Sequence, residues 1–132
     1  MNRYIKSIGL ILLFSAISFQ LRAYEVRTKA PKYRVKSTHY GIASFYHHSL
    51  NGFKTYNGER YSDKKMTAAH KTLPMGTMVR VTDLRNHRSV IVRINDRLPK
   101  HSKRLIDLSH KAASKLHMIS QGLAHVRIEV LK

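Results

Sequence analysis

The sequence predicts a mainly β fold, in which about six short strands close into a small barrel beside a single helix. Three observations predict it. Residues 78–82 and 89–94 are two apolar-rich runs joined by a short polar connection, the layout of a hairpin. Val126-Arg127-Ile128-Glu129-Val130 alternates strictly between apolar and polar, as a half-buried strand does. Residues 109–116 alone carry a good helical pattern, so the core must be built mostly from strands. Closing such strands on themselves removes the free edges that would otherwise invite aggregation.

Taken in order, residues 1–23 read as a secretory signal peptide. Arg3 and Lys6 precede an apolar run over 8–19 that is short for a bilayer span, and Leu21-Arg22-Ala23 offers a small residue for cleavage. Residues 24–38 are basic and polar, contain Pro31 and show no period, and are expected to form an exposed, flexible arm. The barrel domain is expected over 39–132. Gly41-Ile42-Ala43-Ser44-Phe45-Tyr46 reads as its first strand. Residues 51–63, rich in Gly, Asn, Tyr and Lys, read as a long loop, and loops of that length in small domains are often functional. Thr67-Ala68-Ala69 is a short apolar strand. Leu73-Pro74-Met75-Gly76 is a turn, with Pro fixing one φ and Gly free to take a positive one. The hairpin follows, its second strand apolar enough to be expected buried on both faces. Ser109 can cap the helix, whose Ala112, Ala113 and Leu116 share a face. Residues 126–130 close the sheet.

The charge is lopsided: 25 Lys and Arg against 7 acids, a formal +18. Loss of Arg3, Lys6 and Arg22 with the leader leaves about +15. Such a field attracts polyanions, among them cell-wall polymer, anionic lipid and nucleic acid, and does not choose between them. There is no cysteine, which excludes disulfides, thiolate metal sites and lipid attachment through a cysteine. The nine histidines include the adjacent His47-His48 and the pair His110 and His117, but none has the spacing of a metal site. No phosphate-binding loop, dinucleotide fingerprint or nucleophile-elbow motif is present. The expectation is therefore a protein without metal or cofactor.

Acid–base chemistry would have to draw on Glu25, Glu59, Asp63, Asp83, Asp96, Asp107 or Glu129. Asp96 stands where the strongest apolar strand leaves the sheet, held by a rigid element and able to face a cleft. Spacing alone equally allows it to fix a turn through its own backbone, and favours that role. Glu59 follows Asn57-Gly58 in the long loop, as a second cleft carboxyl, a sugar-binding group or a solvated acid. Asp107 precedes the helix and reads as structural, while Asp63, Asp83 and Glu129 read as surface residues. His70 ends a short apolar strand, where it could orient a carboxyl, bind sugar hydroxyls or serve structure alone. Tyr40, Phe45, Tyr46, Phe53, Tyr56 and Tyr61 cluster in sequence, and such rings stack on sugars and bases alike.

Several segments together resemble the rare lipoprotein A family. They are Gly41-Ile42-Ala43-Ser44-Phe45-Tyr46, Thr55-Tyr56-Asn57-Gly58-Glu59-Arg60-Tyr61, residues 66–77 from Met66-Thr67-Ala68-Ala69-His70 to Leu73-Pro74-Met75-Gly76-Thr77, Val92-Arg93-Ile94-Asn95-Asp96-Arg97, and Ile106-Asp107-Leu108-Ser109. Their order and spacing match too, over residues 40–131. The resemblance implies a six-stranded double-psi β-barrel and an endolytic peptidoglycan transglycosylase that prefers glycan without stem peptides. It implies kinship in fold with expansins. It places the family's catalytic acid on Asp96, with Asn95 and Arg97 beside it in the Asn-Asp-Arg motif. The Asn-Gly-Glu motif falls on Asn57 and Glu59, and the Ala-Ala-His motif on His70, as supporting or substrate-binding residues. Phe45 stands where the family has Trp, His47-His48 replace a Gly-Pro-rich turn, and Leu98 replaces the Gly after Asn-Asp-Arg.

The expected chemistry is cleavage of the bond after N-acetylmuramic acid with formation of a 1,6-anhydro end. The sugar's own 6-hydroxyl is the nucleophile, so one carboxyl serves first as acid and then as base. Hydrolases normally use two, and this chain is poor in acids. The expected partners are peptidoglycan strands, with anionic wall polymer gathered by the basic surface. No specific nucleic acid and no stable membrane anchor are expected, and the protein is read as an exported monomer of the periplasm or envelope. The alternative is an expansin-like module that binds and loosens wall without cutting it.

Overall fold

The computed structural model describes residues 32–132, so the expected leader and the arm up to residue 31 lie outside the described residues. The folded unit runs from Tyr33 to Lys132. Its strands are β1 (Val35–Phe45), β2 (Thr67–His70), β3 (Met78–Asp83), β4 (Ser89–Arg97), β5 (Ile106–Leu108) and β6 (Ala124–Leu131), and one helix, α1 (His110–Lys115), follows β5. A 3-10 turn over His48–Leu50 leads into the long loop.

The strands close into a barrel in the order β1-β5-β2-β4-β3-β6. Two pairings are parallel, β1 with β5 and β2 with β4, so the chain must cross the barrel between them. The hairpin β3–β4 and the pairs β3–β6, β1–β6 and β2–β5 are antiparallel. This is the expected six-stranded double-psi barrel with one short helix.

The core follows from alternation. Val79 and Val81 of β3, Val92 and Ile94 of β4, Ile106 and Leu108 of β5, and Val126 and Ile128 of β6 are all fully buried. Each such side chain contributes about 1.5–3 kcal/mol of burial. Helix α1 lays Ala112 and Ala113, with Leu116 just beyond, on this core. Ser109 caps it by accepting the Ala112 N–H, as expected.

Five expectations need correction. The first strand begins at Val35, not Gly41, so the last residues read as arm belong to the barrel. They show no buried alternation because pairing with β6, from Val35 opposite Leu131 onward, holds them. Strand β4 is not buried on both faces: Ile91 and Arg93 are only half-buried. It also continues through Asp96 to Arg97 instead of ending at Ile94. Asp107 lies in β5, the strand too short to be read from sequence. Asp83, read as a surface residue, is 1% exposed and is held by the Arg85 backbone N–H and guanidinium.

Candidate active site

Strand β4 builds the site by changing its own register. Against β2, Ala68 faces Ile94 but Ala69 faces Asp96, so Asn95 is an extra, bulged residue. Bulges re-aim side chains and are frequent beside active sites. Up to Ile94 the strand feeds the core; after the bulge, Asp96 and Arg97 face a cleft of about 320 Å³. The bulge also frees the Asn95 carbonyl, which accepts the Asn57 N–H at 3.2 Å.

The carboxyl of Asp96 is held from three directions. Its Oδ1 accepts the backbone N–H groups of Tyr56 and Arg97, each at 2.9 Å. Its Oδ2 accepts the hydroxyl of Tyr46, which follows β1. Among the described residues no cation pairs with it in a salt bridge. Tyr46, Leu50, Phe53, Lys54, Tyr61, Leu98, Arg104 and Asp107 share the cleft. Asp107 is the other acid there, but Arg104 grips it with two bonds of 2.7 and 3.0 Å. Leu98 is 6% exposed and forms part of the cleft wall.

Tyr46 is fixed as tightly as the acid. Its ring lies 4.5 Å from that of Tyr61, whose hydroxyl donates to Asp63 Oδ1 at 2.9 Å and accepts the His110 N–H at 3.1 Å. Burial and the Asp96 carboxylate push the Tyr46 phenol far above its ordinary range, so it remains a donor. Burial, together with Asp63 and against the His110 N–H, likewise pushes Tyr61 up to about 12. Asp63 is lowered, chiefly by the bond from His48 at 3.0 Å.

Glu59 is not in the cleft. It clamps the loop to β4: Arg93 donates to its two oxygens at 2.6 and 2.8 Å, Asn57 at 2.8 Å and Asn95 at 3.3 Å. Those donors, Arg93 first, hold its carboxyl down at about 2. The loop itself is a small folded hairpin. Thr55 N–H donates to the Glu59 carbonyl at 2.7 Å, Asn57 Oδ1 accepts from Thr55 and from Glu59 N–H, and Gly58 takes φ +90°, open to glycine at no steric cost. Asn57, Asn95 and Glu59 therefore form one unit that presents the Tyr56 N–H to Asp96.

His70 is buried at the end of β2 and does not line the cleft. Its Nδ1 accepts the N–H groups of Thr72 and Leu73 at 3.1 and 3.2 Å. Burial first, then the charges of His39, Arg97 and Lys71, lower it to about 4, so the ring is neutral at pH 7 with its proton on Nε2. Its carbonyl accepts from the Arg97 guanidinium at 3.3 Å. That guanidinium also lies 5.3 Å from the centre of the exposed Tyr56 ring.

Sequence reading missed the partners Tyr46, Arg93 and Arg104. Tyr46 sat within the noted aromatic cluster, but nothing local distinguished it from Tyr40, exposed on β1, or Phe45, packed against the core. Only the fold joins positions 46 and 96.

A family model described as "Lytic transglycolase" matches residues 38–128. The endolytic peptidoglycan transglycosylase RlpA of Haemophilus influenzae is 56% identical over 91 residues, which cover 69% of this chain and 32% of that protein. The protein of the same name from Neisseria meningitidis serogroup A is 51% identical over 111 residues, 82% of this chain and 46% of that one. The chain thus spans a third to a half of the length of these relatives. Among solved structures, an apo expansin of Clavibacter michiganensis superposes with a TM-score of 0.58 at 20% identity, over 73% of this chain and 51% of that one, a likeness of fold alone. The motifs, the barrel and these matches agree, and the chain belongs to the lytic transglycolase family of double-psi β-barrels.

Proposed function

We propose that this chain is an endolytic peptidoglycan lytic transglycosylase, cleaving β-1,4 bonds between N-acetylmuramic acid and N-acetylglucosamine on peptide-poor glycan and leaving 1,6-anhydro ends. The observation that carries the proposal is the Asp96 carboxyl, fixed in a cleft by neutral donors while the neighbouring acid Asp107 is committed to Arg104. The names of the family's relatives support the same reading.

In the proposed reaction the Asp96 carboxylic acid protonates the glycosidic oxygen, and the C1–O4 bond breaks with its electron pair on that oxygen. The resulting carboxylate takes the proton of the 6-hydroxyl as O6 bonds to C1. The proton lost in the first step is regained in the second, so one carboxyl suffices. Arg97 and Lys54 at the cleft, with Phe53 exposed at its rim, are the proposed contacts for the strand. Asn57, Asn95 and Glu59 position the loop, and His70 shapes the turn after β2. The proposed setting is the cell envelope, where a strongly basic chain would gather anionic wall polymer.

Purified protein incubated with amidase-treated peptidoglycan tests this by mass spectrometry of the soluble products. Anhydro-muramyl ends are expected, and Asp96→Asn should lower their release by roughly 10²–10⁴-fold while sedimentation with wall persists. Reducing muramic ends would make the protein a hydrolase. Wall binding without any products would make it an expansin-like module, and full activity of Asp96→Asn would remove the acid from the reaction.

A further inference from the structure

We infer that the proton moves at Oδ2 of Asp96, and that Tyr46 is the positioning residue that aims this oxygen. The inference rests on the transglycosylase reading and assigns parts within it. A carboxylate oxygen offers two lone-pair sites. Oδ1 has both filled, by the N–H groups of Tyr56 and Arg97. Oδ2 has one filled, by the Tyr46 hydroxyl, and keeps one open. Only Oδ2 can therefore give and take a proton without breaking a bond that holds the side chain.

The arrangement serves both protonation states. With the proton on Oδ2, Oδ1 is the carbonyl oxygen and keeps its two backbone donors. With the proton gone, Oδ2 keeps the Tyr46 bond and presents its open lone pair to the 6-hydroxyl. No rotation of the carboxyl is needed between the two steps. Such preorganisation is where enzymes gain most, because the donors cost nothing to rearrange during the reaction.

Tyr46 suits this task. Its ring is wedged against Tyr61, whose own hydroxyl is tied to Asp63 and to the first residue of α1, so the phenol cannot swing away. Its raised phenol keeps its hydrogen while the carboxyl beside it gains and loses one. The other charged groups at the cleft are Lys54, Arg97, Arg104 and Asp107, the last two paired with each other. None of their side chains hydrogen-bonds Asp96 in the structure.

The test is Tyr46→Phe, which deletes one hydroxyl and leaves the ring. A hydrogen bond to a charged group is worth enough that kcat should fall roughly ten- to hundredfold, with KM on amidase-treated glycan nearly unchanged. The alkaline-side limb of the pH–rate profile, on which activity is lost as the general acid gives up its proton, should move to higher pH. In an Asp96→Asn background the same change should cost nothing more, because Tyr46 acts through the carboxyl. A Tyr46→Phe enzyme with wild-type kcat and pH profile overturns the inference. So does a drop in kcat with an unmoved pH profile, or one that persists undiminished beside Asp96→Asn. The ¹³C signal of the Asp96 carboxyl provides a readout that needs no turnover, since its pH titration should differ between wild type and Tyr46→Phe; identical curves also overturn the inference. The wild-type product, anhydro or reducing, reports separately on the transglycosylase reading.

Discussion

Replacing Glu59 by Gln should loosen the loop that delivers the Tyr56 N–H to Asp96. The substitution keeps the size of the side chain and removes the charge that Arg93, Asn57 and Asn95 converge on. The Glu59 carboxyl falls from its ordinary 4.5 to about 2, which at about 1.36 kcal/mol per pH unit sets a ceiling of roughly 3 kcal/mol on the clamp. Both partners are 34% exposed, and solvent screening brings this to about 1–2 kcal/mol. A loss of that size shifts the docked-to-undocked ratio of the loop by a factor of roughly 5–30. Release of anhydro ends should fall by up to that factor, well short of the effect of Asp96→Asn. Hydrogen exchange at the Tyr56 amide should accelerate in parallel. The sign with pH follows from the lowered carboxyl: the clamp is at full strength above about 4.5 and is lost as pH falls through about 2. Protection of the Tyr56 amide in the wild type should decline over that window, and in the variant it should show no such decline. Unchanged protection in Glu59→Gln would refute the clamp. Intact protection with activity as low as that of Asp96→Asn would move Glu59 into the chemistry.

Two further outcomes are expected. Sedimentation with peptidoglycan should weaken steadily as salt rises, because a chain of formal charge +18 holds polyanions through interactions screened over about 8 Å at physiological ionic strength; indifference to salt would shift the grip to Phe53 and Tyr56. Ser109→Ala should lower stability by about 1 kcal/mol, read as a drop in the thermal midpoint, because the hydroxyl caps α1 and accepts the Thr67 N–H as well; an unchanged midpoint would mean that water replaces both bonds.

What could be read from sequence was what neighbouring residues decide together. The hairpin, the alternating last strand and the Ser109 cap each depend on a few consecutive side chains, and all three are present. The motif around Asp96 singled out that carboxyl as the candidate acid from sequence alone. The parts that escaped depend on residues far apart in the chain. Val35 to Tyr40 are mostly exposed, so only pairing with β6 makes them a strand. Ile106–Leu108 is too short to show a period. Glu59 read as a cleft carboxyl, a sugar-binding group or a solvated acid, because Arg93, its actual partner, lies 34 positions on. His70 was noticed for its place in a motif, yet its ring serves the turn that follows it. Asp83 looked like any surface acid until Arg85 and the barrel covered it.

The seam of the barrel joins its first strand to its last, with Val35 opposite Leu131. A chain made from its N-terminal end therefore exposes β1 long before β6 exists to cover it. Strand β3 waits for the same partner, since β6 pairs with both. Without it, β1 and β3 are left with open edges. The barrel can consequently close only when its eight-residue last strand is present. Any process that must thread this chain through a narrow passage has that whole interval in which to do so.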